Sequence, residues 1–335
     1  APVTRLRKQR DAKQNGRDPE LWGEIAGLGL AGVIIPEEFG GAGLGYVALG
    51  AVLEENGRTL VASPLHSSAL AGASALLLAG TDAQKAEWLP KIASGEIVAT
   101  IAIDEAAHHA PAKSKIKFEG GKINGEKKYV ADGHIADLII VAGADALYLV
   151  KADAAGVTRR ELVTADSRGA ADISFAGAAA EKMNGGADII DAILDRARIG
   201  LAAEMVGAAS EAFEITSEYL KTRKQFGQVI GGFQALQHRA AKLFTDLELT
   251  RSCVLAALDA LDRNANNVAE YASLAKARAS ETVHLASNEM VQLHGGIGMT
   301  DVHDAGLYLK RARVTEALYG GASFHRDRYA TLLGF

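Results

Sequence analysis

Two short segments in the C-terminal part of the chain combine residue types that suit a ligand with a phosphate and a flat ring. Arg223 presents a planar fork of donors that matches a phosphate, Gln225 can add a hydrogen bond, and Phe226 offers an apolar face. In the second segment, Gly295 and Gly296 let a ligand approach the backbone closely because glycine has no Cβ. Taken singly, Arg223 is more often a surface ion pair and Phe226 a core aromatic.

Three other patterns could suggest chemistry, and each has a simpler interpretation. His108 and His109 are adjacent but lack further ligands at suitable spacing, so they predict an exposed loop pair and no metal site. The glycines of residues 40–45 follow a Pro-Glu-Glu turn and not a strand, so a Rossmann dinucleotide loop is rejected. Cys253 is the single cysteine, which excludes an internal disulfide. It lies in an apolar helical pattern and is predicted to be a buried small hydrophobe in a reducing cytosol.

The composition is typical of a globular protein, with 48% hydrophobic and 23% charged residues in a chain of 335. A net charge of −5 and a sequence pI of about 6.0 provide no basic field for nucleic acid. The first 17 residues are locally basic and are interpreted as a solvated arm, with cationic side chains at Arg5, Arg7, Lys8, Arg10, Lys13 and Arg17. No run of about 18 apolar residues occurs, so we expect no membrane span and a cytoplasmic location.

Hydrophobic periodicity divides the chain into three segments and predicts an α+β fold. Residues 1–96 show helical spacing interrupted by loops. Residues 97–183 carry short β-branched or alternating runs, with a turn signal at Gly120-Gly121, and predict a small antiparallel β-domain. Residues 184–335 return to long amphipathic helical patterns, which predict a C-terminal four-helix bundle.

Three segments in this order resemble the acyl-CoA dehydrogenase family, and the resemblance extends along nearly the whole chain. They are Pro-Glu-Glu-Phe-Gly-Gly at residues 36–41, Thr-Arg-Lys-Gln-Phe-Gly at 222–227 with Phe-Gln-Ala-Leu-Gln-His at 233–238, and Gln-Leu-His-Gly-Gly-Ile-Gly at 292–298. The resemblance implies a flavoprotein oxidoreductase of lipid metabolism, with FAD between the β-domain and the C-terminal bundle and reaching a neighbouring subunit. Residue 1 corresponds to the end of the first helix of relatives, so relatives are expected to carry further sequence before it.

The resemblance also implies partners and site residues. It implies a homotetramer or similar assembly, an acyl-CoA substrate, and an electron-transfer flavoprotein or similar acceptor. It places Arg198 at the substrate. It assigns FAD to Arg223, Gln225, Phe226, Gln292, Gly295, Gly296 and the position of Ala131.

The catalytic carboxylate of the family is missing from both of its usual positions. The reaction removes a weakly acidic α-proton from an acyl thioester while hydride leaves Cβ, so a general base in an apolar pocket is required. Most relatives carry this base as glutamate in a Tyr-Glu-Gly motif, where this chain has Tyr319, Gly320 and Gly321. Other relatives place it just before an arginine of an earlier helix, where this chain has Ala197.

Two glutamates near these positions are alternative candidates for the base. Glu204 lies seven residues beyond Ala197 on the same helical face, about 10 Å along the axis at 1.5 Å per residue. Glu316, just upstream of Tyr319, is a weaker candidate. A glutamate in such a helix is more often a structural partner or faces solvent.

The β-domain also departs from the family pattern where relatives contact the flavin. A Thr-Glu-Pro-Gly-rich loop of relatives is replaced here by residues 103–109, Ile-Asp-Glu-Ala-Ala-His-His. A flavin-contacting Thr or Ser of relatives is replaced by Ala131, which has no side-chain donor. Contacts from this chain to the ring are therefore expected to be weaker.

The C-terminal sequence resembles a branch of the family whose members are small subunits of heteromeric enzymes that degrade steroid side chains and dicarboxylic acyl-CoAs. The matching segments are residues 294–298, 307–311 and 320–326. The leading interpretation is therefore one subunit of a heterotetrameric acyl-CoA dehydrogenase whose paralogous partner supplies the base. The alternatives are a homomeric dehydrogenase that uses Glu204, and a non-catalytic structural subunit that binds acyl-CoA or flavin.

Overall fold

The computed structural model describes all residues, 1–335, and begins with a helical segment. Its elements are α1 (Val3–Asp11), α2 (Pro19–Gly27), α3 (Gly45–Arg58), a π-helix (Leu65–Gly72), α4 (Ala73–Ala79) and α5 (Asp82–Ala93). Local sequence sets two of the starts. The Asp18 carboxylate accepts a 3.0 Å hydrogen bond from Leu21 N at the start of α2, and Thr81 and Gln84 form a reciprocal capping box at α5.

The basic N-terminal arm is more ordered than the sequence predicted. Residues 3–11 form α1, in which Leu6 and Gln9 are buried. The segment that follows is held by Asn15, whose side-chain amide donates to Glu161 at 2.7 Å and to the carbonyl of Leu162 at 3.0 Å. The prediction of a solvated arm was therefore wrong for this part, because an apolar and an amide side chain among the cations give the helix a packed face.

The middle segment consists of eight strands in two four-stranded sheets. The strands are β1 (Ala99–Ala102), β2 (Lys117–Glu119), β3 (Lys122–Ala131), β4 (Leu138–Ala142), β5 (Leu147–Lys151), β6 (Val157–Leu162), β7 (Ala170–Ala179) and β8 (Glu181–Lys182). One sheet has the order β1-β4-β5-β8 and the other β2-β3-β7-β6. The predicted turn at Gly120-Gly121 joins β2 to β3, and both glycines have positive φ, 55° and 76°.

The β-domain has one apolar core and one unexpected strand pair. Ile139, Val150, Ile173 and Phe175 are among its buried residues, and alternate positions of the strands supply them. All strand pairs are antiparallel except β1 with β4, which run parallel. The prediction of a purely antiparallel domain is corrected at this pair. The connection from β1 to β4 passes through the other sheet, which allows the two strands to run in the same direction.

The C-terminal segment is built from long helices with a two-stranded hairpin between the first two. Its elements are α6 (Ala187–Thr222), β9 (Lys224–Gln225), β10 (Gln228–Val229), α7 (Gln234–Asp262), α8 (Val268–His294), α9 (Ala305–Ala317) and α10 (Ala322–Leu332). Four of these helices, α6 to α9, correspond to the predicted bundle, and α10 adds a fifth. Cys253 on α7 is half-buried and not buried as predicted, because it lies at the edge of the stripe between exposed Ser252 and buried Val254.

Two glycines let the second half of α3 approach α6 closely. A Cβ added to Gly207 would lie 1.8 Å from the carbonyl oxygen of Glu54, and one added to Gly57 would lie 1.9 Å from that of Glu204. Each glycine therefore faces the backbone of the other helix. A methyl group at either position would force the two helices apart.

The chain groups into two compact units, one of Ala1–Arg5, Gly50–Val61 and Arg198–Phe335, the other of Leu6–Leu49 and Ala62–Ala197. The domain boundaries at 96/97 and 183/184 stay predictions, although the changes between helices and strands fall beside them, after α5 and before α6. None of the helices is both long enough and apolar enough to cross a membrane.

Candidate functional site

A tight hairpin presents the first candidate segment to solvent. Lys224–Gln225 pair antiparallel with Gln228–Val229, and the turn between them is made by Phe226 and Gly227 with φ of 51° and 79°. Phe226 is 90% exposed, and the Arg223 and Gln225 side chains are exposed beside it. The predicted alternatives of a core aromatic and a surface ion pair do not apply, since Phe226 lies outside the core and the Arg223 guanidinium forms no ion pair.

The second candidate segment begins where α8 ends. Gln292, Gly295 and Gly296 are exposed, and Gly295 has a φ of 62°, a conformation that favours glycine. A Cβ added to either glycine would meet no atom within 4 Å, so the backbone here faces open space. His294 anchors the turn from within, because its buried ring packs against the Tyr219 ring with centroids 4.3 Å apart and planes tilted by 32°.

A small apolar core brings the two segments to the same end of the compact unit that contains Arg198–Phe335, here called the C-terminal unit. Leu220 of α6, Ile230 after the hairpin and Leu293 of α8 are buried against one another. Tyr219 and Phe233 pack against this cluster. The sequence predicted the residue types of both segments, and the structure shows how residues 70 positions apart reach one surface.

This surface fits a dinucleotide that binds from outside the chain. Exposed side chains at Arg223, Gln225 and Gln292 offer polar groups, Phe226 offers a free aromatic face, and the glycine backbone is accessible. A single exposed aromatic is ordinary in a folded protein, so the indication of a ligand comes from the position of Phe226 beside Arg223 and Gln225. These residues suit the pyrophosphate and rings of FAD.

Ala131 lies at the end of β3 in the β-domain. It pairs with Ala170, and its carbonyl accepts a 2.6 Å hydrogen bond from Thr100 Oγ1. The neighbouring loop is held by Lys127, whose buried ammonium donates to Ile103 O at 2.7 Å and to Glu105 Oε1 at 2.9 Å. Burial lowers the pKa of Lys127.

The histidine pair of this loop is not the exposed pair that the sequence predicted. His108 is exposed, but the His109 side chain is buried, and its Nδ1 lies 3.0 and 3.1 Å from the two carboxylate oxygens of Asp104. Asp104 is five residues upstream, a loop contact that helical or strand spacing does not reveal. The contact between His109 and Asp104 holds the loop of residues 103–109, which replaces the Thr-Glu-Pro segment of relatives.

Glu204 is 1% exposed and engaged by an arginine. Its Oε1 accepts from Arg311 Nε at 2.9 Å and Nη2 at 2.8 Å. Protonating this carboxylate would remove the counter-ion of a buried guanidinium, which is strongly unfavourable. The contact supports a structural role for Glu204. Ala197, seven residues earlier, is buried, and its carbonyl accepts from His66 Nε2 at 3.0 Å.

Arg198 is fully buried and reaches the turn that contains Gly320. Its Nε lies 3.5 Å from the carbonyl oxygen of Tyr319, which also accepts from His325 Nε2 at 3.1 Å. Lys276, 0% exposed, donates to Gly320 O at 3.0 Å and to Glu316 O at 3.2 Å. Donors from three basic side chains therefore converge on the carbonyls of one short turn.

The protonation states around this turn are set mainly by burial. Burial lowers the pKa of Lys276 to about 7, against an opposing effect of the Glu316 carboxylate. Burial, with the nearby charges of Lys276 and Arg198, lowers the pKa of His325 to about 2, so its ring is neutral and donates through Nε2. Sequence reasoning missed Lys276 and His325. The sequence did contain a signal for Lys276. It lies four residues after Ala272, on the face of α8 that buries small residues such as Ala275 and Ala279, where a lysine is unusual.

On its outer side the turn borders an open cleft of about 470 Å³. The lining includes both signs of charge, from Glu281, Arg313 and Glu316. His284 Nδ1 lies 3.1 Å from Glu316 Oε2, and Arg313 Nη2 donates to Asn288 Oδ1 at 2.7 Å. Glu316, the weaker candidate for a base, is therefore engaged in a surface network.

Comparison with known proteins agrees with these features. The model of the acyl-CoA dehydrogenase N-terminal domain matches residues 3–96, and that of the C-terminal domain matches residues 184–333. The acyl-CoA dehydrogenase IpdE2 of Mycolicibacterium smegmatis is 33% identical over 309 residues, covering 91% of this chain and 85% of that protein.

Two solved structures are similar over nearly their whole length. A variant of the steroid ACAD Tcur3481-Tcur3483 superposes with a TM-score of 0.90 at 32% identity, covering 98% of this chain and 92% of that chain. The ChsE4-ChsE5 complex from Mycobacterium tuberculosis gives 0.87 at 27% identity, covering 94% and 88%. The chain belongs to the acyl-CoA dehydrogenase family of oxidoreductases, whose cofactor is FAD.

Proposed function

We propose that this chain is the flavin-binding, base-deficient subunit of a heteromeric acyl-CoA dehydrogenase, and that a related partner chain supplies the catalytic carboxylate. One observation carries the proposal. The exposed surface of Arg223, Phe226 and Gly295 is intact, whereas position 320 carries no side chain. A guanidinium, an aromatic ring and an accessible glycine backbone at one surface are together the groups that a phosphate- and ring-bearing cofactor needs.

The two alternative candidates, Glu204 and Glu316, are poor replacements for the missing base. Glu204 is buried in an ion pair with Arg311, and Glu316 contacts His284 on the surface. A base for an α-proton must be free to accept it, and neither contact favours this. These contacts support a base from outside the chain and disfavour the homomeric alternative with Glu204.

The names of similar structures support a heteromeric assembly. ChsE4-ChsE5 is described as a complex and Tcur3481-Tcur3483 as a steroid ACAD. By analogy, we propose a steroid side-chain or similarly bulky acyl-CoA as substrate and a heterotetramer as the assembly. An electron-transfer flavoprotein or similar acceptor and a cytoplasmic location belong to the same proposal.

Each surface has a defined task in this reaction. Arg223 and Gln225 would hold the pyrophosphate of FAD, Phe226 would cover a ring, and the backbone at Gly295 and Gly296 would lie against the cofactor. FAD, when bound, accepts the hydride that leaves Cβ of the acyl group. The partner's carboxylate would take the α-proton, giving the 2-enoyl-CoA.

Arg198 was predicted to contact the substrate, and this stays a prediction. Its guanidinium is buried, and the contacts of its side chain include Tyr319 O and the ring of Phe324. Within this chain it therefore holds the turn at position 320. Arg198 would therefore affect substrate binding indirectly, by fixing the position of that turn.

The first test is to purify the chain alone, count flavin per chain from visible absorbance, and titrate it with several acyl-CoA esters without oxygen. We expect little flavin, or flavin that no ester bleaches, and bleaching after a copurifying partner is added. Bleaching by the chain alone would contradict the proposal.

Glu204→Gln tests the alternative of a homomeric dehydrogenase that uses Glu204 as its base. If the chain alone proves active, loss of bleaching in Glu204→Gln with flavin still bound would identify Glu204 as the base. Under the present proposal, Glu204→Gln in the complete complex leaves the rate constant of flavin reduction within about twofold of wild type. Protein that stays folded by circular dichroism is the control.

A further inference from the structure

Position 320 differs from a simple loss of a side chain, because the space that a side chain would need is filled. Gly320 has a φ of 101°, which side chains rarely adopt. A Cβ built on it would lie 2.4 Å from Cδ1 of Phe324 and 3.0 Å from Cγ and Cε1 of the same ring. Carbon atoms that are not bonded do not approach to 2.4 Å, so the ring and a side chain at 320 exclude each other.

The Phe324 ring is held in this position from two sides. The His325 ring lies edge-on to it with centroids 5.0 Å apart, and the guanidinium of Arg198 lies 5.7 Å from its centroid. Because Arg198 is buried and donates to Tyr319 O, the same group holds both the ring and the turn. The ring cannot turn away without losing both contacts.

The backbone of the turn is equally constrained. Tyr319 has a φ of 58°, and the carbonyls of residues 319 and 320 accept from His325 and Lys276. Rotating Gly320 to an ordinary φ would displace its carbonyl from the buried Lys276 ammonium, which would lose one of its acceptors. Neither the ring nor the backbone can make room without breaking a buried contact.

We infer that Phe324 closes position 320 to any side chain, and that it thereby determines that this chain cannot carry a catalytic base at its own turn. The inference rests on the proposed function for its chemical meaning and on the steric contact for its structure. Restoring glutamate alone would fail. Removing the Phe324 ring as well would open the position, so that a carboxylate at 320 could take the α-proton while hydride passes from Cβ to FAD.

A thermal double-mutant cycle tests the steric part without reference to activity. We expect Gly320→Ala to lower Tm by about 4 °C or more, and Phe324→Ala combined with it to recover at least half of that loss relative to Phe324→Ala alone. Gly120→Ala is the matched control, since Gly120 has a φ of 55° and open space around it. Its Tm loss should be unaffected by Phe324→Ala. Additive losses for Gly320→Ala and Phe324→Ala would overturn the inference.

The chemical part is tested on the chain without its partner, loaded with FAD and mixed with an acyl-CoA ester in the absence of oxygen. We expect Gly320→Glu to bleach no faster than Gly320→Gln. The double variant Gly320→Glu/Phe324→Ala should bleach at least tenfold faster than Gly320→Gln/Phe324→Ala, which has the same shape but no base. Equal rates for these two double variants, or a fully active Gly320→Glu single variant, would overturn the inference. Failure of the wild-type complex to turn over would instead count against the proposed function, whatever the thermal cycle shows.

Discussion

The two candidate regions of the C-terminal unit are packed in opposite ways. The hairpin and the end of α8 leave Arg223, Phe226 and Gly295 exposed and open. The turn at Tyr319 and Gly320 is packed by Phe324 and held by buried basic groups. In the first region the polar and aromatic side chains are left exposed. In the second region the side chains of the chain itself fill the space.

This contrast separates two kinds of change in a protein family. Loss of a carboxylate could leave a cavity, which costs stability in proportion to its volume. Here the Phe324 ring fills the space beside Gly320, and the carbonyls of Tyr319 and Gly320 are hydrogen-bonded, so the turn leaves no cavity. Substitutions in the turn should therefore affect stability, and those on the open surface should affect cofactor binding.

The largest difference is expected between a buried and an exposed lysine. Lys276→Ala removes a fully buried side chain and the donor of Gly320 O and Glu316 O, and we expect it to lower the free energy of unfolding by about 3–5 kcal/mol at pH 9. Lys221→Ala, at an exposed i,i+3 pair with Glu218, should change it by about 0.5 kcal/mol or less. Urea denaturation measures both, and equal effects would contradict the contrast.

The Glu204–Arg311 pair should show strong coupling. Glu204→Leu leaves the buried guanidinium without this counter-ion, and we expect a loss of about 3 kcal/mol in unfolding free energy. The double variant Glu204→Leu/Arg311→Leu should recover most of that loss, because both charges are then absent. A double variant as unstable as the sum of the single variants would show that the pair is not a coupled unit.

Stability should also rise with pH above neutrality because of Lys276. Its folded-state pKa of about 7 lies below its unfolded value of about 10.4, so the unfolded chain binds more protons between these values. Stability is therefore lowest below pH 7 and should increase by about 2 kcal/mol between pH 7 and pH 9. Charged and titratable groups that interact with the ammonium are Arg198 of α6, Glu316 of α9 and His325 of α10.

The control for this pH dependence is Lys276→Met, which keeps much of the volume and removes the titrating group. The difference in unfolding free energy between wild type and Lys276→Met, measured at several pH values, isolates the lysine. A difference that stays constant from pH 6.5 to pH 9 would show that Lys276 keeps an ordinary pKa.

The smallest effect on stability, with a clear effect on binding, is expected at Arg223. Arg223→Ala should weaken FAD binding by roughly 10- to 50-fold, about 1.5–2.5 kcal/mol for a charge-assisted contact to phosphate. Its Tm without flavin should be unchanged, because Arg223 is exposed and unpaired within the chain. Lys224→Ala, one residue away on the same hairpin, is the matched control and should weaken binding less than threefold. Flavin fluorescence titration measures both.

Much of the fold was accessible from sequence because it depends on local patterns. The alternation of strands, the glycine turn at 120–121 and the long helical stripes all appear in the structure. The parallel pairing of β1 with β4 was not accessible from the sequence, since the direction of pairing depends on which distant segments meet. The packing of the N-terminal arm likewise depends on Asn15 reaching Glu161, a contact across 146 residues.

The candidate site was predictable where it is exposed and unpredictable where it is buried. Arg223, Gln225 and Phe226 were predicted from residue type, the structure places them on one exposed hairpin, and their role stays a prediction. The role of Phe324 depends on the φ of Gly320 and on a distance of 2.4 Å, neither of which is encoded in a motif. Glu204 was a reasonable candidate by helical spacing, and only the structure shows its partner, Arg311.

The mutual approach of α3 and α6 at Gly57 and Gly207 limits how this part of the protein can move. Each glycine receives a carbonyl of the other helix, so neither sliding nor rotation of one helix against the other is possible without a backbone collision. The amides around this crossing should exchange hydrogen with solvent only when the whole unit unfolds. The backbone of Glu204 lies in the crossing itself, so the side chain that pairs with Arg311 extends from a part of α6 that cannot shift.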